Sequence, residues 1–299
     1  MPPKREERRP RVHLTISVPT EVERALEVDF ELLSAPSGAH GVIATPGVEI
    51  DAAYFDAAGP GLRIVANDAV GTDNVDLEAA RLRGIVVTNT PDVLTNASAE
   101  LAIGLMLALL RRIAEGDRLI RRREPWRFTP EFMLGESLES KRLLVVGPGR
   151  IGTRVADLAR AHGAEPLFAG RGDDLPALLM NADIVSLHTP LTPQTHHLID
   201  AAALAAMKPA AILVNTSRGK IVHEQALVAA LRSGTIAGAA LDVFEFEPDV
   251  SEELLALDNV VLTPHIASAT RDTRRAMLEL CVDALRAVLL EGRTPPNAV

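Results

Sequence analysis

Three glycines, Gly147, Gly149 and Gly152, close the apolar run LLVVGPGRIG at residues 143–152. The spacing G-x-G-x-x-G after a strand and at the opening of a helix is what a dinucleotide pyrophosphate requires. Gly147 permits a tight turn, Gly149 lets backbone approach the phosphates, and Gly152 lets the helix pack against the strand. Arg150 and Ile151 open that helix, whose free N–H groups and positive dipole end favour an anion. The following strand, EPLFAGR, ends in Gly170 and Arg171 where NAD-binding chains carry an acid for the ribose hydroxyls. Loss of a carboxylate and gain of a guanidinium favour a 2′-phosphate and therefore NADPH, with NADH as the alternative because Asp173 and Asp174 follow at once. Further on, three polar groups stand just after apolar runs: Arg218 in NTSRGKIV; Asp242, Glu245 and Glu247 in LDVFEFEP; and His265 in LTPHIASAT. Alone, each is ordinary, a structural histidine or a solvated acidic loop. Together, on neighbouring strand ends of one cofactor domain, they lie at the edge where open α/β sheets bind ligands.

The elements that position these groups read as two alternating runs. From Arg11 the pattern is strand, helix near Glu21, strand VDFELLS, strand GVIATP, helix near Ala52, strand LRIVAN and strand IVVTN, a parallel sheet with crossover helices. Only SAPSGAH joins the second and third strands, too short for a crossover helix. Next comes ASAELAIGLMLALLRRIAEGDRLIRR, read as one helix of about 25 residues that Thr95 or Asn96 could cap. A helix so apolar needs more than one neighbour, and a subunit interface is one source of the second. After Arg142 the alternation restarts as a doubly wound domain. Between Arg171 and the strand DIVSLH there is room for one short helix only, so the third strand of the usual order is missing and the strand ending at Gly170 becomes an edge. The helical segment from about Thr270 to Leu290 returns to the first domain, which makes the dinucleotide domain an insertion and leaves a cleft between the two.

With 299 residues, 47% hydrophobic and few aromatic, the chain reads as a two-domain soluble α/β enzyme. The formal charge of −9 argues against nucleic acid. The basic cluster at residues 4–11, interrupted by Glu6 and Glu7, reads as a solvated tail. One cysteine, Cys281, in an apolar helical pattern, and no zinc-like Cys/His spacing point to a reducing compartment, no structural metal and a cytoplasmic location. Neither a signal peptide nor a membrane span is expected.

From about Leu62 to Pro296 the series AVGTDNVDLEAA, RGIVVTNTPDVLT, GPGRIG, SLHTPLTPQT, ILVNTSRG, AALDVFEFEP and PHIASATRDTR resembles the D-isomer-specific 2-hydroxyacid dehydrogenase family, and within it the glyoxylate/hydroxypyruvate reductases. The resemblance implies two Rossmann-like parallel-sheet domains, both somewhat truncated: a flavodoxin-like substrate domain at residues 1–95 and 270–299, and an inserted NAD(P)-binding domain at residues 96–269. It implies a catalytic set of Arg218, Glu247 and His265. Arg218 would bind the 2-oxo acid, His265 would give a proton to the carbonyl oxygen as hydride arrives, and Glu247 would orient the imidazole and favour its protonated form. The backbone N–H groups of Val70 and Gly71 would hold the substrate carboxylate, so that substrate bridges both domains and closure excludes water. Thr95, His188, Pro190, Thr216 and Asp242 match positions that line the cofactor, and a homodimer through the helix beginning near Ala97 is implied. The chain departs from the family at Gly170 with Arg171, at Ala267 where glycine is commoner, and at the trimmed crossovers. The expected activity is NADPH-dependent reduction of glyoxylate or hydroxypyruvate. The alternatives are an NAD-linked dehydrogenase of the phosphoglycerate type or for a bulkier D-2-hydroxy acid, and a dinucleotide-sensing protein without turnover.

Overall fold

The computed structural model describes residues 9–299. Most of the basic cluster, residues 4–8, lies outside the described residues; its last member, Arg11, is the first residue of a strand rather than part of a tail. The chain divides into two compact units, Met1–Leu94 with Thr270–Val299, and Thr95–Ala269.

The first unit runs β1 (Arg11–Leu14), α1 (Thr20–Asp29), β2 (Glu31–Leu33), β3 (Gly41–Ala44), α2 (Ala52–Ala58), β4 (Ile64–Asn67), α3 (Leu77–Leu82) and β5 (Val86–Thr88). Its five strands are parallel in the order β2-β1-β3-β4-β5. That is the flavodoxin-like order, with the ligand edge at the carboxyl ends. β3 and β4 are buried at every position, as a sheet covered on both faces demands. Two details differ from the sequence reading. Val28 and Asp29 complete α1, so the second strand is shorter than VDFELLS, and α3 was not anticipated at all. Asp51 and Asp76 begin α2 and α3 by accepting the N–H groups of Tyr54 and Ala79, both at 2.8 Å. The 34–40 connection crosses from β2 to β3 without a helix.

The long C-terminal helix of this unit, Arg271–Leu289, is capped by Thr270. Its apolar stripe, including Cys281, Leu285 and Leu289, packs on Val12, Ile43 and Ile64 of the sheet. Cys281 is buried there as a small core residue.

The second unit runs α4 (Thr95–Leu110), α5 (Ile113–Arg121), β6 (Arg142–Val146), α6 (Arg150–Ala161), β7 (Glu165–Ala169), α7 (Leu175–Leu179), β8 (Ile184–Leu187), α8 (Ala201–Ala206), β9 (Ile212–Asn215), α9 (Glu224–Ser233), β10 (Gly238–Leu241), α10 (Glu252–Leu255) and β11 (Val260–Leu262); the helix of the preceding paragraph is thus α11. Six parallel strands lie in the order β11-β10-β9-β8-β6-β7. Among the described residues nothing pairs with the outer side of β7: the third strand of the usual order is missing there, and Phe168 on this edge stays 40% exposed. The expected single helix over residues 97–122 is corrected to two. Arg112 adopts a left-handed conformation (φ 53°) that no continuous helix tolerates, and its guanidinium binds Glu115 at the start of α5. α4 itself begins at Thr95, so neither Thr95 nor Asn96 caps it; both lie in its first turn. The apolar faces of α4 are accounted for in part by α6 and the sheet, where Gly238 would place a Cβ 3.2 Å from Leu109.

Candidate active site

The glycine turn behaves as the residues dictate. Gly147 has φ 95°, and a Cβ there would meet the His188 carbonyl at 2.7 Å, so the ends of β6 and β8 come together only because position 147 is glycine. A Cβ on Gly152 would overlap the Gly147 carbonyl and lie 2.8 Å from Val145, the close strand–helix packing expected. Gly149 is the N-cap of α6 and has open space where its Cβ would stand. The amides of Ile151 and Gly152 precede the first intrahelical bond, from Thr153 to Gly149 at 2.9 Å. An open glycine beneath unengaged amides fits a pyrophosphate. Thr216, after β9, adds a buried hydroxyl oxygen with no partner among the described residues, a group a bound cofactor could satisfy.

The remaining cofactor positions differ in kind. His188 follows β8 and pairs through Nε2 with Ser186 Oγ at 2.8 Å; desolvation pushes its imidazole down to about 4, so it is neutral at physiological pH. Pro190 is exposed, and its carbonyl accepts the Thr195 hydroxyl at 2.6 Å. Asp242, at the end of β10, is fully buried, and its carboxylate already accepts Thr263 Oγ1 (2.6 Å) and the amides of Ile266 and Ala267 (both 2.8 Å). Burial raises its pKa against the pull of those donors. Asp242 therefore ties down the loop that carries His265, a role its place at a strand end did not reveal.

That loop and the acidic loop after β10 meet. His265 Nδ1 lies 2.8 Å from Glu247 Oε2, while Glu247 Oε1 accepts the Phe244 N–H at 2.8 Å. His265 sits at φ 52°, a left-handed conformation unusual for a non-glycine residue, held by its N–H on Asp242 O at 2.8 Å. Its Nε2 has no hydrogen-bond partner among the described residues. Desolvation raises the Glu247 pKa, but the hydrogen bonds from His265 and Phe244 and the charge of Arg218 outweigh it, and the carboxylate stays below its ordinary range. Arg218 is thus electrostatically coupled to the pair. Asn215 secures it by donating Nδ2 to the Arg218 carbonyl at 2.9 Å, with Asn215 Oδ1 accepting the Ser217 N–H at 3.0 Å. The two acids of EFEP separate: Glu245 binds His197 Nε2 at 2.7 Å and the Glu224 N–H at 2.8 Å, leaving Glu247 alone for His265. Sequence reasoning missed His197 and Glu224, which no motif marks.

In the first unit, the Val70–Gly71 loop is pinned by its carbonyls: Asn89 Nδ2 donates to Val70 O (2.9 Å) and Asn67 Nδ2 to Gly71 O (2.8 Å). The amides of Val70 and Gly71 make no hydrogen bond among the described residues.

A glycine turn, a helix N-terminus and a histidine–carboxylate pair on one sheet edge define a class, the dinucleotide-dependent oxidoreductases. Residues 103–267 match the family model for the D-isomer specific 2-hydroxyacid dehydrogenase NAD binding domain. The chain is 42% identical to a glyoxylate reductase of Thermococcus litoralis, with 97% of each chain covered. A crystal structure of a protein from Thermus thermophilus superposes with a TM-score of 0.89 at 45% identity, covering 97% of this chain and 99% of that one. The NADPH-dependent glyoxylate/hydroxypyruvate reductase of Sinorhizobium meliloti, solved with NADP and malonate, gives 0.86 at 36% identity over 97% of each chain. The chain belongs to the D-isomer-specific 2-hydroxyacid dehydrogenase family and is an NAD(P)-dependent oxidoreductase. No helix among the described residues is long and apolar enough to cross a membrane.

Proposed function

We propose that the chain reduces a small 2-oxo acid, glyoxylate or hydroxypyruvate, to the 2-hydroxy acid of the D series, with NADPH as the preferred reductant. The observation that carries this reading is the Glu247–His265 pair at 2.8 Å, with His265 Nε2 left for substrate. When bound, the reduced nicotinamide supplies the hydride. Arg218 binds the carboxylate and carbonyl oxygens of the 2-oxo acid, and the amides of Val70 and Gly71 take the carboxylate. His265 donates the Nε2 proton to the carbonyl oxygen, and ionised Glu247 holds Nδ1–H and stabilises the ring while it is cationic. Gly147, Gly149, Arg150, Ile151 and Gly152 would hold the pyrophosphate, Thr95, His188, Pro190 and Thr216 would line the rest of the cofactor, and Asp242, buried behind them, would act by fixing the loop of His265. The unit of residues 95–269 is the cofactor domain, and the other unit is the substrate domain.

Preference for NADPH rests on Arg171. It is exposed and forms no ion pair among the described residues; of the acids beside it, Asp173 accepts the Gly170 N–H at 2.8 Å and Asp174 the Ala177 N–H at 3.2 Å. The malonate and NADP complex of the Sinorhizobium relative supports the same pairing of a small carboxylate with a phosphorylated cofactor. A homodimer through the helical segment that begins near Ala97 would cover the apolar side chains at its far end and just beyond, where Ile113, Ile120, Trp126, Phe128 and Leu134 are all more than half exposed. A cytoplasmic location completes the proposal.

The test is oxidation of NADPH and of NADH by the purified protein with glyoxylate, hydroxypyruvate and pyruvate. The expected result is turnover with the first two and a higher kcat/KM for NADPH than for NADH. Tight dinucleotide binding without turnover of any 2-oxo acid overturns the reading. Light scattering reads the dimer.

A further inference from the structure

The turn after β7 holds a carboxylate at the place where position 170 has none. Asp173 folds back so that its Oδ2 accepts the Gly170 N–H at 2.8 Å, and Gly172, at φ 91°, lets the turn close. A Cβ on Gly170 would lie 3.7 Å from Asp173 Oδ2 and 3.8 Å from Cγ of Pro148, the residue between the first two glycines of the turn. The Asp173 carboxylate therefore lies in van der Waals contact with the point from which a side chain at position 170 would leave the backbone, beside Pro148 of the fingerprint loop. Its Oδ1 has no partner among the described residues.

A carboxylate at that place accepts hydrogen bonds from ribose hydroxyls and repels a 2′-phosphate. Arg171, two positions earlier in the same turn, does the reverse. β7 is the outer strand of its sheet, so no further strand among the described residues constrains the turn.

We propose that Asp173 is a specificity-determining residue, which holds the adenosine ribose hydroxyls of NADH from the end of β7 in place of an acid at position 170. The chain thereby uses both reduced dinucleotides, NADPH through Arg171 and NADH through Asp173. This rests on the proposed assignment of NADPH to Arg171 and adds a second reader at the same turn.

The experiment is fluorescence titration of the full-length protein with NADPH and NADH, which reads binding whether or not any substrate turns over. Asp173→Asn keeps an oxygen for the Gly170 N–H and removes the charge. It is expected to weaken NADH about tenfold and to leave NADPH no weaker than in the wild type. Equal factors for both cofactors, or an unchanged Kd for NADH, overturn the proposal. Arg171→Ala separates the two readings: it is expected to weaken NADPH about tenfold or more without loss of NADH. An unaltered NADPH affinity in that variant, beside a selective NADH loss in Asp173→Asn, sinks the Arg171 assignment and leaves Asp173 standing.

Discussion

The carboxyl edges of the two sheets are finished in opposite ways. In the second unit, polar groups arrive already paired: Asp242 with three donors, Glu247 with His265 and the Phe244 amide, Glu245 with His197 and Glu224, and Asn215 with the Arg218 and Ser217 backbone. In the first unit, Thr15 Oγ1, Asp68 Oδ1, Thr88 Oγ1 and Thr90 Oγ1, all at or just past strand ends, are buried without a partner among the described residues. An unmet buried polar atom costs about 1–3 kcal/mol. Proton transfer requires fixed geometry, and the edge proposed to perform it is pre-organised at the expense of local strain, as His265 at φ 52° records. Recognition of a substrate carboxylate needs only amides held at the right place.

The strongest way to break this contrast is at the paired edge. His265→Ala is expected to lower kcat by about a thousandfold, the scale of a general acid, while NADPH binds within severalfold of the wild type. Burst and steady-state rates with glyoxylate check it; a variant that retained most of its kcat would remove His265 from the proton path.

Sequence reached the second unit more fully than the first, for physical reasons. Gly147, Gly149 and Gly152 are readable because only glycine meets the backbone demands of the turn, and the missing strand after β7 is readable as a length deficit. The break at Arg112 is not: it interrupts an apolar pattern without glycine or proline, and the Arg112–Glu115 pair and the left-handed φ emerge only from packing. Nor was the fate of the acids legible. Composition places Asp173, Asp242, Glu245 and Glu247 near a site, but which accepts a backbone amide and which faces a histidine depends on loop geometry that spacing does not encode.

The unpaired edge is probed through Asp68, 4% exposed beside α11. Burial raises its carboxyl from the ordinary 3.8 to about 6, against the pull of Arg274, and its charge in turn adds to the upward shift of the Cys281 thiol. A folded pKa above the unfolded one means the native state holds the proton more tightly: its stabilising contribution is complete below about pH 4 and is lost as pH rises through about 6. Asp68→Asn does not undergo that loss. Its stability relative to the wild type should rise between those limits by up to about 3 kcal/mol and stay level above them. Urea midpoints across the range measure this, and a pH-independent difference would show that Asp68 is solvated or paired in solution.

A smaller effect is expected where the first edge is ordered. Asn89→Ala removes the donor to the Val70 carbonyl and frees one side of the loop proposed to hold the substrate carboxylate. About 1 kcal/mol of hydrogen bonding translates to a KM for glyoxylate raised about fivefold, with kcat little changed because the proton path is untouched. A fall in kcat at constant KM would instead place the loop in the chemical step.

Thr216 is the exception on the paired edge, and it yields the smallest and most selective prediction. Its hydroxyl oxygen is buried without a partner, like those of the first unit. If the contrast between the edges reflects chemistry against recognition, this atom belongs to recognition and is completed by cofactor. Thr216→Val keeps the shape and removes the hydroxyl, so the free protein should be unchanged or stabilised by up to about 1 kcal/mol, since an unmet polar atom is gone. Cofactor affinity should fall by about threefold, because the same atom gains a partner only in the complex. Thermal unfolding with and without NADPH reads both halves: a smaller ligand-induced shift in Tm on a Tm for the free protein that is no lower than wild type. A loss of free-protein stability would mean that the hydroxyl already has a partner in solution, and Thr216 would then join Asp242 among the groups that hold the catalytic edge together.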